Sequence, residues 1–229
     1  MHHSFPTQAE AILHFYKTLR QDFDPPGGIA IMNPYLEPAT WELTSAFYKK
    51  YYTDARPRIF IFGINPGRLG GGVTGIPFTD PLRLQENCGI RNELKKLPEL
   101  SSQFIYEMIE VYGGVREFYQ DVYMTALSPL GYTKNGRNLN YYDDKELLKA
   151  CEPFMVACIR QQLATIPALS TCFCLGEGGN YKQFKRINGL YHFFEDIVTL
   201  PHPRWIMQYR RKRIKEYTGL YIDKIKTYK

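Results

Sequence analysis

The chain of 229 residues carries a formal net charge of +6, and hydrophobic residues make up 44% of it, which is enough for a sizeable core. This balance excludes an intrinsically disordered chain, and no apolar run approaches the length of a membrane span. The charged segment that precedes the apolar part of a secretory signal peptide is absent, so we expect a cytoplasmic protein with no membrane partner.

The first part of the chain is predicted to be helical. Apolar residues at helical spacing indicate one helix over Thr7–Leu19 and a second over Thr40–Tyr52. The breaker sequence DPPGG at Asp24–Gly28 separates them. We interpret residues 1–57 as a helical N-terminal extension that packs on the rest of a single domain, which spans residues 1–229.

Four short apolar runs follow, and their nearly continuous hydrophobicity is typical of strands buried on both faces. These strands are predicted at Arg58–Ile64, Asp121–Leu127, Thr171–Leu175 and Asp196–Leu200. Helical segments lie between them, at Glu99–Tyr112, Asp144–Ile166 and Asn180–Ile187. The alternation predicts the α/β class, as a three-layer α/β/α domain with a central, mainly parallel four-stranded sheet.

Most of the positive charge lies in the last part of the sequence. Residues 201–229 hold nine Lys or Arg and two acidic residues, a local charge of +7 that leaves −1 for the other 200 residues. We predict a basic C-terminal helix in this region, with its densest basic run at Arg210–Lys215. A polyanionic partner such as nucleic acid and a solvated helix face explain this charge about equally well.

The five cysteines favour core positions. Their number is odd and no Cys-x-x-Cys pair occurs, which argues against a disulfide framework and against a zinc site. We therefore expect the protein to bind no metal and no cofactor.

The ends of the predicted strands carry the candidate site, because ligands of parallel sheets bind outside the carboxyl ends of the strands. Ile64 runs into Asn-Pro-Gly, Leu127 into Ser-Pro-Leu, and Leu200 into Pro-His-Pro-Arg. Asn65 offers an uncharged amide, which can orient a water or a substrate edge but cannot serve as a general base. The glycines that follow it let backbone approach a ligand closely.

Two common glycine motifs do not explain this segment. Gly70, Gly72 and Gly75 match the spacing of a dinucleotide-binding loop, but two prolines follow where its helix should begin. No Gly-Lys-Ser or Gly-Lys-Thr occurs, so the chain has no phosphate-binding P-loop.

Residues 63–78, GINPGRLGGGVTGIPF, resemble the first motif of the uracil-DNA glycosylase superfamily. The motif is most similar to that of the single-strand-selective monofunctional uracil-DNA glycosylases, as a divergent bacterial-type branch. Leu200–Arg204, LPHPR, resembles a shortened form of the family's second motif, His-Pro-Ser-Pro-Arg. The two motifs occur in the family order, and the resemblance covers roughly residues 58–217.

The resemblance implies a role for each motif residue. Asn65 would orient the attacking water, and His202 would donate a hydrogen bond to the departing base. Phe78 would stack on the flipped base, in a pocket that also includes Gly63, Ile64, Pro66, Gly67, Thr125 and Ala126. The DNA would be held by two groups of residues: the loop Pro203, Arg204 and Trp205, and the basic run Arg210, Arg211, Lys212 and Arg213. Arg204 or Trp205 is the candidate wedge into the gap that the base leaves.

One position departs from the family. An asparagine at the end of a middle strand reads uracil in the family, and Ala126 stands at the corresponding position here. The candidate replacements are Thr125, Ser128, Asn135, Asn138 and Asn140; alternatively, the pocket accepts other deaminated bases such as hypoxanthine. A turn is the favoured interpretation of the segment Asn135–Asn140.

The implied function is removal of uracil or related deaminated bases from DNA in base excision repair, by hydrolysis of the N-glycosidic bond after base flipping. No lysine lies in the motifs, so we expect a monofunctional enzyme without lyase activity, acting as a monomer on single- or double-stranded DNA. Two alternatives stay open. One is a catalytically weak protein that recognises damaged or flipped bases in DNA, and the other is a hydrolase of small N-glycosides, against which the basic run counts.

Overall fold

The computed structural model describes residues 5–229; residues 1–4, at the start of the predicted N-terminal extension, lie outside the described residues. The strands in this part of the chain are β1 (Ile29–Met32), β2 (Ile59–Gly63), β3 (Val122–Ala126), β4 (Gly131–Lys134), β5 (Arg137–Leu139), β6 (Thr171–Leu175) and β7 (Asp196–Leu200). The α-helices are α1 (Gln8–Thr18), α2 (Pro38–Tyr51), α3 (Gly71–Thr74), α4 (Pro81–Glu86), α5 (Leu100–Tyr112), α6 (Val115–Asp121), α7 (Lys145–Thr165), α8 (Gly179–Tyr191), α9 (Pro203–Tyr209) and α10 (Ile214–Thr227).

The central sheet consists of four parallel strands in the order β3-β2-β6-β7. Every residue of β2 and β3 is buried, as their apolar sequences IFIFG and VYMTA require. Helices flank this sheet, so the predicted three-layer α/β/α domain with a parallel four-stranded sheet is confirmed. Each predicted strand is found within one residue of its expected bounds.

A second, antiparallel sheet of order β1-β4-β5 was not predicted. Its strands are only three or four residues long. The sequences of β4 and β5, GYTK and RNL, do not alternate between apolar and polar residues, so no strand was predicted there. The N-terminal region was predicted to be helical, but it also contains the strand β1 at residues 29–32.

The turn of the β4–β5 hairpin consists of Asn135 and Gly136, whose φ angles are 51° and 71°. The turn in the structure is therefore shorter than the predicted segment 135–140, because β5 begins at Arg137.

The basic C-terminal region also differs from the prediction of one helix. It forms α9 and α10, joined at Arg210 and the 3-10 turn Arg211–Arg213. Helix α10 buries Tyr221, Ile222 and Ile225 against the core, while the basic side chains around the turn are exposed.

Two further findings concern the described residues 5–229. None of their helices combines the length and the apolarity that crossing a bilayer requires. All five cysteines are buried free thiols, and burial raises the pKa of each of them, for example that of Cys88 to about 11.

Candidate active site

A cavity of about 530 Å³ opens at the carboxyl ends of the four parallel strands. Gly63, Ala126 and Gly176 line it where β2, β3 and β6 end, and His202 lines it just after β7. This is where a parallel sheet is expected to bind a ligand, and the volume suits a small-molecule or nucleobase site. Among the predicted base-binding residues, those that line the cavity are Gly63, Ile64, Pro66, Gly67, Phe78 and Ala126.

Asn65 lies two residues after the end of β2 and is held by backbone groups at the end of β5 and just after it. Its Nδ2 donates to the carbonyl of Leu139 at 3.2 Å, and its Oδ1 accepts from the amide of Tyr141 at 3.1 Å. A carbonyl partner and an N–H partner distinguish the two ends of the amide, so the side chain has one defined orientation. One N–H and one oxygen lone pair remain for a ligand in the cavity.

A buried polar pair lies behind this arrangement. The Tyr141 hydroxyl donates to Oδ1 of Asn180 at 2.9 Å. Nδ2 of Asn180 in turn donates to the carbonyls of Gly63 at 3.3 Å and Leu175 at 3.0 Å. The pair therefore ties the ends of β2 and β6 to the segment that orients Asn65. Sequence reasoning missed both residues, because no local pattern marks a contact between positions 141 and 180.

Phe78 lies in the cavity with its ring against the backbone of Gly63. A Cβ atom at Gly63 would lie 2.7 Å from Cε2 and Cζ of this ring, so the close approach requires glycine. The backbone of Phe78 has a φ of 56°, a strained value for a bulky residue and a frequent mark of functional sites. The ring is half-buried, and its centroid lies 6.2 Å from that of His202. One face of the cavity is therefore aromatic, as base stacking requires.

His202 is the N-cap residue of α9. Its Nδ1 accepts a hydrogen bond from the backbone N–H of Arg204 at 3.1 Å, so in the neutral ring the proton is carried by Nε2. Burial, and secondarily the charge of Arg204, lower the pKa of His202 to about 4. The imidazole is therefore neutral near pH 7 and offers an N–H donor to a ligand.

Thr125 does not belong to the site, contrary to the prediction. It is fully buried, and its hydroxyl donates to Oε1 of Gln162 at 2.8 Å instead of reaching the cavity. Ser128 is likewise buried, with its hydroxyl bonded to Leu130 and Tyr132. Since residues alternate along a strand, the neighbour of a cavity-lining Ala126 points away from the cavity.

Two of the candidate asparagines do line the cavity. Asn138 and Asn140 lie on it, whereas Asn135 forms the exposed hairpin turn. Oδ1 of Asn138 accepts from the amide of Arg68 at 3.1 Å, and Nδ2 of Asn140 donates to Asp143 at 3.3 Å. Asn138 is therefore bonded to the loop after Asn65, and Asn140 lies between the two residues whose backbone binds the Asn65 amide.

The predicted DNA-contacting residues divide into three groups. Arg204 and Trp205 line the cavity, while Pro203 is buried as the first residue of α9 and lies outside it. Arg210–Arg213 are exposed and line an adjacent groove, which shares Gln208 and Tyr209 with the cavity. The described part of the chain, 5–229, holds no group of three or more His, Cys, Asp or Glu able to bind a metal ion.

Comparison with known proteins identifies a family and a similar solved structure. The family model of the uracil DNA glycosylase superfamily matches residues 50–226. The crystal structure of wild-type SMUG2 from Pedobacter heparinus is similar over 97% of this chain and 98% of its own, with 44% sequence identity and a TM-score of 0.94. A search of the curated proteins finds no match.

Proposed function

This chain belongs to the uracil DNA glycosylase superfamily, and from that premise we propose that it is a monofunctional glycosylase that hydrolyses the N-glycosidic bond of uracil or a related deaminated base in DNA. The observation that carries the proposal is the meeting of Asn65, Phe78 and His202 in one cavity at the strand ends. The similarity to Pedobacter heparinus SMUG2 supports placing it among SMUG-like members of the superfamily.

The site suits a reaction in which a neutral base leaves as an anion. The target base leaves the stack, at a cost of a few kcal/mol, and stacks on Phe78. As the bond from C1′ to the base nitrogen breaks, the sugar becomes positive and the base negative. Nε2–H of His202 donates to the base oxygen that gains charge, and removal of such a donor typically costs about 2.7–4 kcal/mol. The free lone pair of Asn65 holds the water whose oxygen then bonds to C1′, and the proton that this water loses neutralises the departed base anion.

The cavity reads the base with few side chains. Ala126 offers no polar group at the position where the family places an asparagine, and Thr125 faces away. Asn138, Asn140 and Asn180 also line the cavity, but each already forms a hydrogen bond within the protein. We therefore infer a tolerant pocket that accepts hypoxanthine or xanthine beside uracil.

The testing experiment measures base release from short DNA that carries uracil, hypoxanthine or xanthine, in single and double strands. Asn65→Ala and His202→Ala are expected to lower the rate at least about 100-fold. Asn87→Ala, an exposed amide outside the cavity, is the matched control and is expected to leave the rate unchanged.

Two outcomes would contradict the proposal. No release by the unaltered protein, with DNA still bound, would favour a protein that recognises damaged bases without excising them. Release from free nucleosides that survives neutralisation of Arg210–Arg213, without release from DNA, would favour a small N-glycoside hydrolase.

A further inference from the structure

Two large aromatic side chains are exposed on one face of α9, at the rim of the cavity. Trp205 is 38% exposed and Tyr209 is 65% exposed, and both line the cavity. They lie four residues apart and therefore project from the same side of the helix. Their ring centroids are 6.5 Å apart, with the planes inclined at 46°. Two exposed aromatic side chains beside a binding cavity indicate a surface that contacts a ligand or partner.

Trp205 is held in place by its neighbours. The guanidinium of Arg210 lies over its ring at 4.8 Å from the centroid, and Tyr217 meets it edge to face at 6.1 Å. Arg210 also donates to the carbonyl of Tyr209 at 3.0 Å. In the surface formed by Trp205 and Tyr209, Trp205 is thus held by its neighbours, whereas Tyr209 is largely exposed to solvent.

The surrounding charge identifies the class of partner. Arg210, Arg211 and Lys212 are exposed beside this surface, and none of them forms an ion pair with another residue in the range 5–229. Arg213 differs, because it is paired with Glu216. Exposed aromatics next to unpaired cations are the combination that binds single-stranded nucleic acid, through base stacking and phosphate contacts.

We propose that Trp205 and Tyr209 form a stacking surface for an unpaired nucleobase next to the flipped nucleotide, while Arg210, Arg211 and Lys212 contact the adjoining phosphates. The proposal rests on the proposed function, since it takes a base in the cavity as its starting point. A base paired within a duplex is already stacked and cannot occupy this surface without leaving its partner. The surface therefore contributes to binding only where the neighbouring base is free.

The test combines a change in the protein with a change in the DNA. Single-stranded oligonucleotides carry uracil with either a normal neighbouring base or an abasic spacer, placed on the 5′ side or the 3′ side. Removal of the neighbouring base on one side is expected to lower kcat/KM of the unaltered protein about 5- to 150-fold, the range of one stacking contact. In Tyr209→Ala the same removal is expected to have little further effect, whereas Tyr209→Phe keeps the ring and should respond like the unaltered protein.

A spectroscopic readout accompanies the kinetics. The chain has two tryptophans, Trp41 and Trp205, so in Trp41→Phe the fluorescence reports on Trp205 alone. Stacking is expected to quench this signal with the normal oligonucleotide and not with the spacer. Tyr191→Ala, a partly exposed tyrosine that stacks on Phe193 away from the cavity, is the matched control and should respond to the spacer like the unaltered protein.

The outcomes separate this inference from the proposed function. If the unaltered protein releases uracil but neither spacer lowers kcat/KM, or if Tyr209→Ala retains the full spacer effect, the stacking surface is wrong and the glycosylase proposal stands. If the unaltered protein releases none of uracil, hypoxanthine and xanthine from DNA, the proposed function itself fails.

Discussion

At the scale of single residues, the candidate site is built from polar side chains whose orientation is set before any ligand arrives. Both ends of the Asn65 amide are bound to backbone, and Nδ1 of His202 is bound to the amide of Arg204. Such preorganised groups need little rearrangement during a reaction, which is the main way in which a site without a strong base accelerates one. Two predictions belong to this scale.

The first concerns pH. The pKa of His202 is lowered to about 4, so the neutral ring is expected to persist from neutral pH down past 6.5. The rate of base release should fall only as pH nears 4, where a proton on Nδ1 breaks the hydrogen bond from the Arg204 amide that orients the ring. The unfolded chain protonates this histidine near 6.5, so the free energy of unfolding should decrease as pH falls from 6.5 to about 4. Single-turnover rates and urea unfolding across this range, compared with His202→Gln, check both. A rate inflection near 6.5 would contradict the expectation.

The second concerns the buried pair of Tyr141 and Asn180. Tyr141→Phe leaves Oδ1 of Asn180 buried without its donor, which is expected to lower the free energy of unfolding by about 1–3 kcal/mol. Urea denaturation measures this change. Tyr48→Phe is the matched control, because the buried hydroxyl of Tyr48 has no hydrogen-bond partner among the described residues and its removal should cost nothing. Equal effects of the two substitutions would show that the pair stabilises nothing.

At the scale of elements, the β4–β5 hairpin connects the second sheet to the candidate site. The chain leaves β5 through Leu139 and reaches Tyr141, the two residues whose backbone orients Asn65. The hairpin is short, and its course depends on a two-residue turn in which Asn135 and Gly136 both adopt positive φ. A change at the turn should therefore shift the backbone groups that orient the Asn65 amide.

Gly136→Ala tests this connection. The φ of Gly136 is 71°, and a side chain there is expected to lower the free energy of unfolding by about 1–2 kcal/mol and to reduce base release as the hairpin shifts. Gly219→Ala, in helix α10 with open space around its Cβ position, is the control and should stabilise the protein by about 0.5–1 kcal/mol. Denaturation and activity assays on both variants would refute the connection if Gly136→Ala lost stability while retaining full activity.

At the scale of the whole molecule, the charge is asymmetric with respect to the cavity. Residues 201–229 carry +7 and the other 200 residues sum to −1. In the fold, Arg210–Arg213 line a groove that joins the cavity, whereas α10 buries its apolar side against the core. A long polyanion would therefore meet the positive field beside the candidate site.

Salt dependence measures how many of these charges meet phosphates. For single-stranded DNA, the double change Arg210→Gln and Lys212→Gln is expected to reduce the slope of log K against log salt by about 0.7 for each phosphate that the variant no longer neutralises. Lys49→Gln is the control, because this exposed lysine of α2 lines neither the cavity nor the groove. An unchanged slope in the double variant would show that the basic run is only a solvated face.

Local sequence patterns were enough to predict the central sheet and the helices that flank it. Continuous apolar runs predicted β2, β3, β6 and β7, and the helices between them predicted that these strands are parallel. The motifs at 63–78 and 200–204 indicated the superfamily, because each motif consists of consecutive residues and can be identified without knowledge of the fold. The catalytic roles of Asn65 and His202 stay predictions.

The hydrogen bonds that hold the candidate site, and the residues that surround it, depend on contacts between distant parts of the chain. The hydrogen bonds of Asn65 join positions 74 and 76 residues apart, and the Tyr141–Asn180 bond joins positions 39 apart, so no periodicity indicates them. The same reason explains the misplaced Thr125, whose partner Gln162 lies on another element, and the missed strands of the second sheet. Local patterns set which elements form, whereas contacts between distant elements set which way each polar side chain faces.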